Sequence, residues 1–235
     1  FYSTDSASVD HIVHVTCTGY ISPSAPQRLI SQKNWSPQVS CTHAYHMGCY
    51  ASLPALRLAE GLVAARSRPF NVDIVHTEMC SLHMNPSANT PEQFIVQSLF
   101  ADGHVKYTVT QSGQHKRGFS VLNFVEQLIP NSMDDMTWRP SPWGMQMNLS
   151  RDVPGKIKNC IRPFLETLAK NSFCSLADIL RDADFAIHPG GPKIISNLQE
   201  VLELQDSQIA SSKRILFLRG NMSSSTLPHI WKDMI

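Results

Sequence analysis

This 235-residue chain lacks the features that would place it on a nucleic acid or across a membrane. No stretch reaches the roughly 18 continuous apolar residues of a membrane span. Twenty Lys and Arg stand against nineteen Asp and Glu, a formal net charge of +1 with no basic stripe, which argues against nucleic-acid and membrane-surface partners. No signal peptide is visible. The six cysteines (Cys17, Cys41, Cys49, Cys80, Cys160 and Cys174) are scattered, mostly in apolar runs. That scatter favours buried thiols in a cytoplasmic protein over a disulfide framework. Low-complexity tracts and short-period repeats are also missing. At 42% hydrophobic residues, the chain has apolar material for one large domain or two modest ones. It opens on Phe1 rather than methionine and stops at Ile235 without a helix-stop signal, so both ends read as cut.

What is present alternates between strand-like and helix-like runs. Residues 11–16 are β-branched and alternating, a strand leading into the turn-rich 18–20. Residues 24–33 are weakly helical and 39–42 form a short strand. Gly48 precedes a helix over 50–66, with Leu53, Leu56, Leu62 and Val63 on one side and Pro54 in its first turns. A strand at 72–76, a helix at 91–100 and a strand at 105–110 follow. Pro130-Asn131-Ser132, Asp134-Asp135 and Pro140-Ser141-Pro142 mark a linker. Beyond it the pattern predicts strands at 145–149 and 183–187. Helices are predicted at 153–170, 192–204, near 208–218, and from 223 onward. This is an α/β pattern with helices covering sheet faces, divided into 1–140 and 141–235. A strand, a reactive turn and a helix occur in that order in both halves, the mark of a weak internal duplication.

Three short segments carry the chemistry: Met47-Gly48-Cys49-Tyr50-Ala51, Ile187-His188-Pro189-Gly190-Gly191-Pro192 and Gly220-Asn221-Met222-Ser223-Ser224. They supply a thiol, an imidazole and a carboxamide, a set able to transfer acyl groups through a thioester. Cys49 falls between a strand and a helix start, where backbone N–H groups and the positive helix end favour the thiolate. Taken alone it reads equally as a small buried hydrophobe. His188 ends an apolar strand, the end at which open α/β sheets place their sites. Its competing reading is a core histidine with a satisfied ring. Asn221, taken alone, reads as an ordinary turn or N-cap residue. His43, His46 and Cys49 recur every three residues, but no carboxylate or CxxC pair completes a ligand shell, so no metal is expected.

The three segments resemble those of the type III polyketide synthases, the chalcone-synthase-like family. The resemblance runs over nearly the whole chain. It is supported by Thr18-Gly19-Tyr20-Ile21-Ser22-Pro23, Glu78-Met79-Cys80-Ser81-Leu82-His83, Leu99-Phe100-Ala101-Asp102-Gly103 and Arg151-Asp152-Val153-Pro154-Gly155. The His-Pro-Gly-Gly-Pro and Gly-Asn-Met-Ser-Ser runs separate this family from the fatty-acid ketoacyl synthases. The resemblance implies a thiolase-like fold, two duplicated α/β halves in layers, incomplete here at both termini and working as a homodimer. It implies acyl-CoA and malonyl-CoA as substrates, with no further cofactor. Cys49 would carry the starter acyl group, while His188 and Asn221 would hold the malonyl thioester carbonyl and stabilise the enolate left by decarboxylation. Phe100 matches the family's aromatic gatekeeper.

Several positions depart from the plant pattern. The second gatekeeper, usually Phe, matches Met147, a more adaptable side chain. His83 and Cys80 stand where plant enzymes commonly carry threonines lining the cavity, and Ser22 where a Met often reaches the partner's site. Lys193, beside the Pro-Gly-Gly-Pro turn, is a candidate CoA contact. These departures imply a bacterial-looking pocket for aliphatic starters, giving an alkylpyrone or alkylresorcinol. The alternatives are a ketoacyl-synthase-like enzyme making one extension and an inactive fragment that keeps the three residues.

Overall fold

The computed structural model describes residues 1–3, 9–111 and 117–235. In chain order its elements are β1 (His11–Thr16), α1 (Ala25–Gln32), β2 (Ser40–Tyr45), α2 (Ser52–Ala64), β3 (Val72–Glu78), α3 (Pro91–Leu99), β4 (Gly103–Val109), β5 (Met136–Ser141), β6 (Gly144–Leu149), α4 (Val153–Asn171), α5 (Leu176–Asp182), α6 (Pro192–Leu202), α7 (Ala210–Arg219) and α8 (Thr226–Met234). Short 3-10 turns occur at Cys80–His83, Ser207–Ile209 and Ser223–Ser225. The contacts define two units that interleave along the chain. One comprises Phe1–Cys80, Asp102–Gly118 and Met222–His229; the other comprises Ser81–Ala101, Phe119–Asn221 and Ile230–Ile235.

The first unit is built on a four-stranded sheet in the order β2-β1-β3-β4. β1 pairs in parallel with β2 and β3, and β4 closes the edge antiparallel to β3. All six residues of β1 are buried, as a central parallel strand covered on both faces requires. The buried stripe of α2 keeps Val63 of the side that the periodicity suggested but not its leucines. With Ala51 just ahead of the helix, it runs through Ala55, Ala59 and Val63 at steps of four, packed with Val13, Val15, Val72 and Ile74. Small residues let the helix backbone approach the sheet, and the leucines are left half-buried or exposed at its flanks.

The second unit holds the β5-β6 hairpin and most of the helices. Its core gathers Leu165 of α4, Ile187, and Ile195, Leu198 and Leu202 of α6, with Leu204 and Ile209. Two expectations are corrected here, and one element is added that the sequence pattern left unassigned. Residues 136–141, read as the end of a linker, form β5; a two-residue turn ahead of Gly144 (φ 149°) lets the chain double back. Residues 176–182 form α5, capped by Ser175, whose hydroxyl accepts the Asp178 N–H at 3.0 Å. Residues 183–187 form no strand. Their backbone groups are satisfied by the Gln208 carbonyl, 2.7 Å from the Phe185 nitrogen, and by the Ser212 hydroxyl, 2.9 Å from the Ile187 nitrogen. Once those donors and acceptors are met from neighbouring turns and helices, no adjacent strand is needed.

Candidate active site

Cys49 lies in the first unit, on the turn between β2 and α2. His46 (φ 58°) and Gly48 (φ 81°) both occupy the left-handed region, which turns the chain sharply ahead of the cysteine. Ala51, the residue before α2, offers no side-chain cap. The Cys49 sulfur stands 3.8 Å from the Ser223 hydroxyl, and the Gly48 N–H points at the Cys17 sulfur from 3.1 Å.

Behind this turn is a buried polar network that the sequence reading did not assign. The Glu78 carboxylate, 1% exposed, accepts the Cys17 N–H at 3.0 Å, the Thr18 hydroxyl at 3.1 Å and a short bond from the Ser224 hydroxyl. Thr18 in turn accepts the Met79 N–H at 2.8 Å. Since Ser224 spends its proton on Glu78, it must accept from His76 Nδ1–H at 3.0 Å; His76 Nε2 then accepts from the Tyr107 hydroxyl at 3.2 Å. Burial, helped by the nearby His14, His229 and His104, lowers the His76 pKa to about 3, so the ring is neutral. Burial raises the Glu78 pKa, and the bonds from Ser224, Cys17 and Thr18 pull it back. The Cys17 thiol is pushed up to about 12 by burial and then by Glu78, and Cys80 is raised by the same two causes. Both therefore remain thiols at neutral pH and do not compete as nucleophiles. In sequence, Glu78 stands only within one of the segments that carry the resemblance, with no partner visible, because Ser224 lies 146 positions away.

The other two candidates lie in the second unit. His188 follows the extended 183–187 segment. Both its ring nitrogens are buried and have no hydrogen-bond partner among the described residues. Burial lowers its pKa to about 4, so the imidazole is neutral. The satisfied core histidine is thus not what the fold contains. Asn221 is 1% exposed and its backbone is fixed on both sides of Phe100. Its N–H donates to the Leu99 carbonyl at 2.9 Å, and its carbonyl accepts the Ala101 N–H at 2.8 Å. Gly220 makes this approach possible: its φ is +71°, and an added Cβ would stand 3.1 Å from the Leu99 oxygen and 3.2 Å from the Ala101 Cβ. The capping role that Asn221 suggested by itself is not found. The residue before the Ser223–Ser225 turn is Met222, which makes no side-chain cap bond.

The pocket candidates divide. Phe100, half-buried at the end of α3, pairs with Asn221. Met147 is buried on β6, and its carbonyl accepts the Gln93 side-chain N–H at 2.8 Å. His83 Nδ1 accepts the Met145 N–H at 3.1 Å, and its ring meets Trp138 edge-on at 5.2 Å. The second unit therefore ties His83, Met147, Phe100 and Asn221 to one frame of α3 and β6. Cys80 sits half-buried in the first unit. Ser22 and Lys193 are exposed. Among the described residues no group of three or more His, Cys, Asp and Glu side chains could hold a metal ion, and no helix is long and apolar enough to cross a membrane.

Residues 2–111 match the chalcone and stilbene synthases, N-terminal domain, and residues 121–235 match the C-terminal domain of the same family. The probable polyketide synthase 1 of Dictyostelium discoideum is 30% identical over 227 residues, covering 95% of this chain and 7% of that protein. Type III polyketide synthase C of Arabidopsis thaliana is 28% identical over 94% of this chain and 58% of its own length. The crystal structure of the C-terminal type III polyketide synthase domain of Steely1 from Dictyostelium superposes with a TM-score of 0.85 at 29% identity. It covers 96% of this chain and 63% of that one. The chain thus spans about three-fifths of that domain and of the Arabidopsis relative. The α/β, thiolase-like fold expected from the sequence is the fold of these structures.

Proposed function

Since this chain belongs to the chalcone and stilbene synthase family, we propose that it is an acyltransferase that builds polyketides by decarboxylative condensation on Cys49. The Cys49 thiolate attacks the carbonyl carbon of a starter acyl-CoA, and the tetrahedral intermediate collapses with loss of the CoA thiolate. His188 and Asn221 each donate a hydrogen bond to the thioester carbonyl oxygen of malonyl-CoA. The bond to the carboxylate breaks, CO2 leaves, and its electron pair becomes an enolate whose oxygen the two donors stabilise. The enolate carbon attacks the acyl-Cys49 carbonyl and expels the thiolate, so the nucleophile is regenerated and the chain is two carbons longer.

The observation that carries this reading is the His188 ring, buried and neutral with both nitrogens unpartnered among the described residues. An unpartnered buried imidazole costs folding free energy, and a substrate oxygen would repay that cost at the site. A neutral ring donates without titrating near pH 7, as a stabiliser of developing charge requires. Met147 in place of an aromatic gatekeeper favours a flexible aliphatic starter and an alkylpyrone or alkylresorcinol product. The protein is read as a cytoplasmic homodimer, with Cys80, His83 and Ser22 shaping the cavity and Lys193 touching CoA. In the full-length protein, acyl-CoA should load onto Cys49 as a mass increment lost in Cys49→Ala, and malonyl-CoA should release CO2. Loading that survives Cys49→Ala would refute the nucleophile assignment. Products carrying only one two-carbon extension would move the protein to the ketoacyl-synthase-like class, and a protein that neither loads nor releases CO2 would be inactive.

A further inference from the structure

Helix α3 joins the candidate gatekeepers in a way the family pattern does not spell out. At its C-terminal end stand Phe100 and the backbone pairing with Asn221. At its N-terminal end, two consecutive side chains reach the edge of β6 that β5 leaves open. Gln93, 7% exposed, donates from Nε2 to the Met147 carbonyl at 2.8 Å, and Glu92 Oε1 accepts the Leu149 N–H at 2.7 Å. Met147 and Leu149 are two residues apart, so their backbone groups face the same edge of the strand. Helix side chains here do what a neighbouring strand would do, one as donor and one as acceptor. Thr90 fixes the start of the bar, accepting the Gln93 N–H at 3.2 Å. A cleft of about 410 Å3, lined by Glu92, Ile95, Leu149 and Arg151 among others, opens beside the Glu92 bond, so the strand has room to shift on that side if released.

We propose that Glu92 and Gln93 form a two-point clasp that fixes the position of Met147 relative to Phe100, and that this spacing sets the longest acyl starter the protein accepts. The inference rests on the polyketide reading only in making Phe100 and Met147 the walls of the acyl passage. Both clasp residues are positioning residues. They hold backbone atoms of β6, and neither is asked to touch the reacting carbons.

The test uses the full-length protein with acyl-CoAs from hexanoyl to hexadecanoyl. Gln93→Met removes the donor at nearly constant volume, and Glu92→Ala removes the acceptor. Each should move the preferred starter by about two carbons or more and change the ratio of kcat/KM between long and short starters by about tenfold, the scale expected of altered apolar pocket contacts. Glu92→Gln keeps an acceptor oxygen for the Leu149 N–H and should restore the wild-type profile. Loss in parallel across all chain lengths, or an unmoved profile, overturns the proposal. Hydrogen exchange at the Leu149 amide reads the clasp without turnover: protection should fall in Glu92→Ala and return in Glu92→Gln. Unchanged protection in Glu92→Ala refutes the clasp whether or not the protein makes polyketides. Absence of malonyl-CoA decarboxylation in the wild type would instead refute the polyketide reading and leave the exchange result to decide the clasp.

Discussion

The buried Glu78 gives the sharpest stability prediction. Replacing it by Ala strands the donors it accepts, the Cys17 and Ser224 N–H groups and the Thr18 and Ser224 hydroxyls. The hydroxyls can rotate, and Thr16 stands 3.2 Å from Thr18 as an alternative acceptor, but the Cys17 N–H cannot move. An unsatisfied buried donor together with the cavity left behind costs roughly 3–5 kcal/mol. Glu78→Gln behaves differently, because the relay can reverse. The new amide N–H donates to Ser224, Ser224 donates to His76 Nδ1, and His76 Nε2–H donates to the Tyr107 oxygen. The three relay bonds are kept with their direction inverted, and the amide oxygen still accepts the Cys17 N–H and the Thr18 hydroxyl, so the cost should be about 1 kcal/mol, the scale of one altered hydrogen bond. Urea unfolding of the two variants measures the gap, and 15N chemical shifts of His76 should move from the Nδ1–H to the Nε2–H tautomer in Glu78→Gln. A protonated Glu78 makes the same demand, so acidifying the wild type should produce the same tautomer change. With its folded pKa raised by burial, Glu78 contributes stability that is present at low pH and lost as pH rises through the folded value. Glu78→Gln removes that dependence. Equal destabilisation by Gln and Ala, or a His76 tautomer indifferent to both changes, would refute the relay.

Three further outcomes are expected. His188→Ala should slow malonyl-CoA decarboxylation by about 10²–10³-fold, the usual cost of losing one oxyanion donor, and a loss below threefold would remove His188 from the mechanism. His188 and His14 are lowered to about 4, and His76 to about 3, all by burial first, so the unfolded chain binds protons that the folded chain refuses. Stability should therefore fall as pH drops from 6.5 toward 4, by up to about 4 kcal/mol per pH unit if all three titrate, visible as a lower urea midpoint at pH 5 than at pH 7. Gly103→Ala places a Cβ 2.1 Å from the Ser225 hydroxyl and 2.5 Å from the Met222 Cβ. It should destabilise by about 1–3 kcal/mol in thermal unfolding, and a neutral result would mean that β4 and the 222–225 turn are more loosely packed than described.

Much of the fold could be read along the chain. β1, α1, β3, α3, β4, α4 and α6 lie where the local strand and helix patterns put them, because the apolar residues that mark each are adjacent or regularly spaced in sequence. The misses share a cause. Residues 136–141 carry prolines and acidic neighbours that read as linker, yet they pair with β6 through contacts outside any local window. Residues 183–187 look like a buried strand, but their partners are a glutamine carbonyl and a serine hydroxyl some 25 positions on. On α2 the leucines form the more apolar side, whereas closeness to the sheet selects the alanines. The candidate site was legible for a different reason. Glycine and small residues around Cys49, His188 and Asn221 mark backbone that must turn or approach closely, a demand written locally.

The sequence by itself therefore determined the α/β class, most of its elements, and the three candidate side chains with the small residues around them, since each depends on a few adjacent residues. The tertiary structure decided what surrounds them: the unpartnered neutral ring of His188, the backbone pairing that fixes Asn221 against Phe100, the buried Glu78 relay and the Glu92–Gln93 hold on β6. Burial and hydrogen-bond partnership are set by residues tens to more than a hundred positions apart, and only the folded chain brings those together.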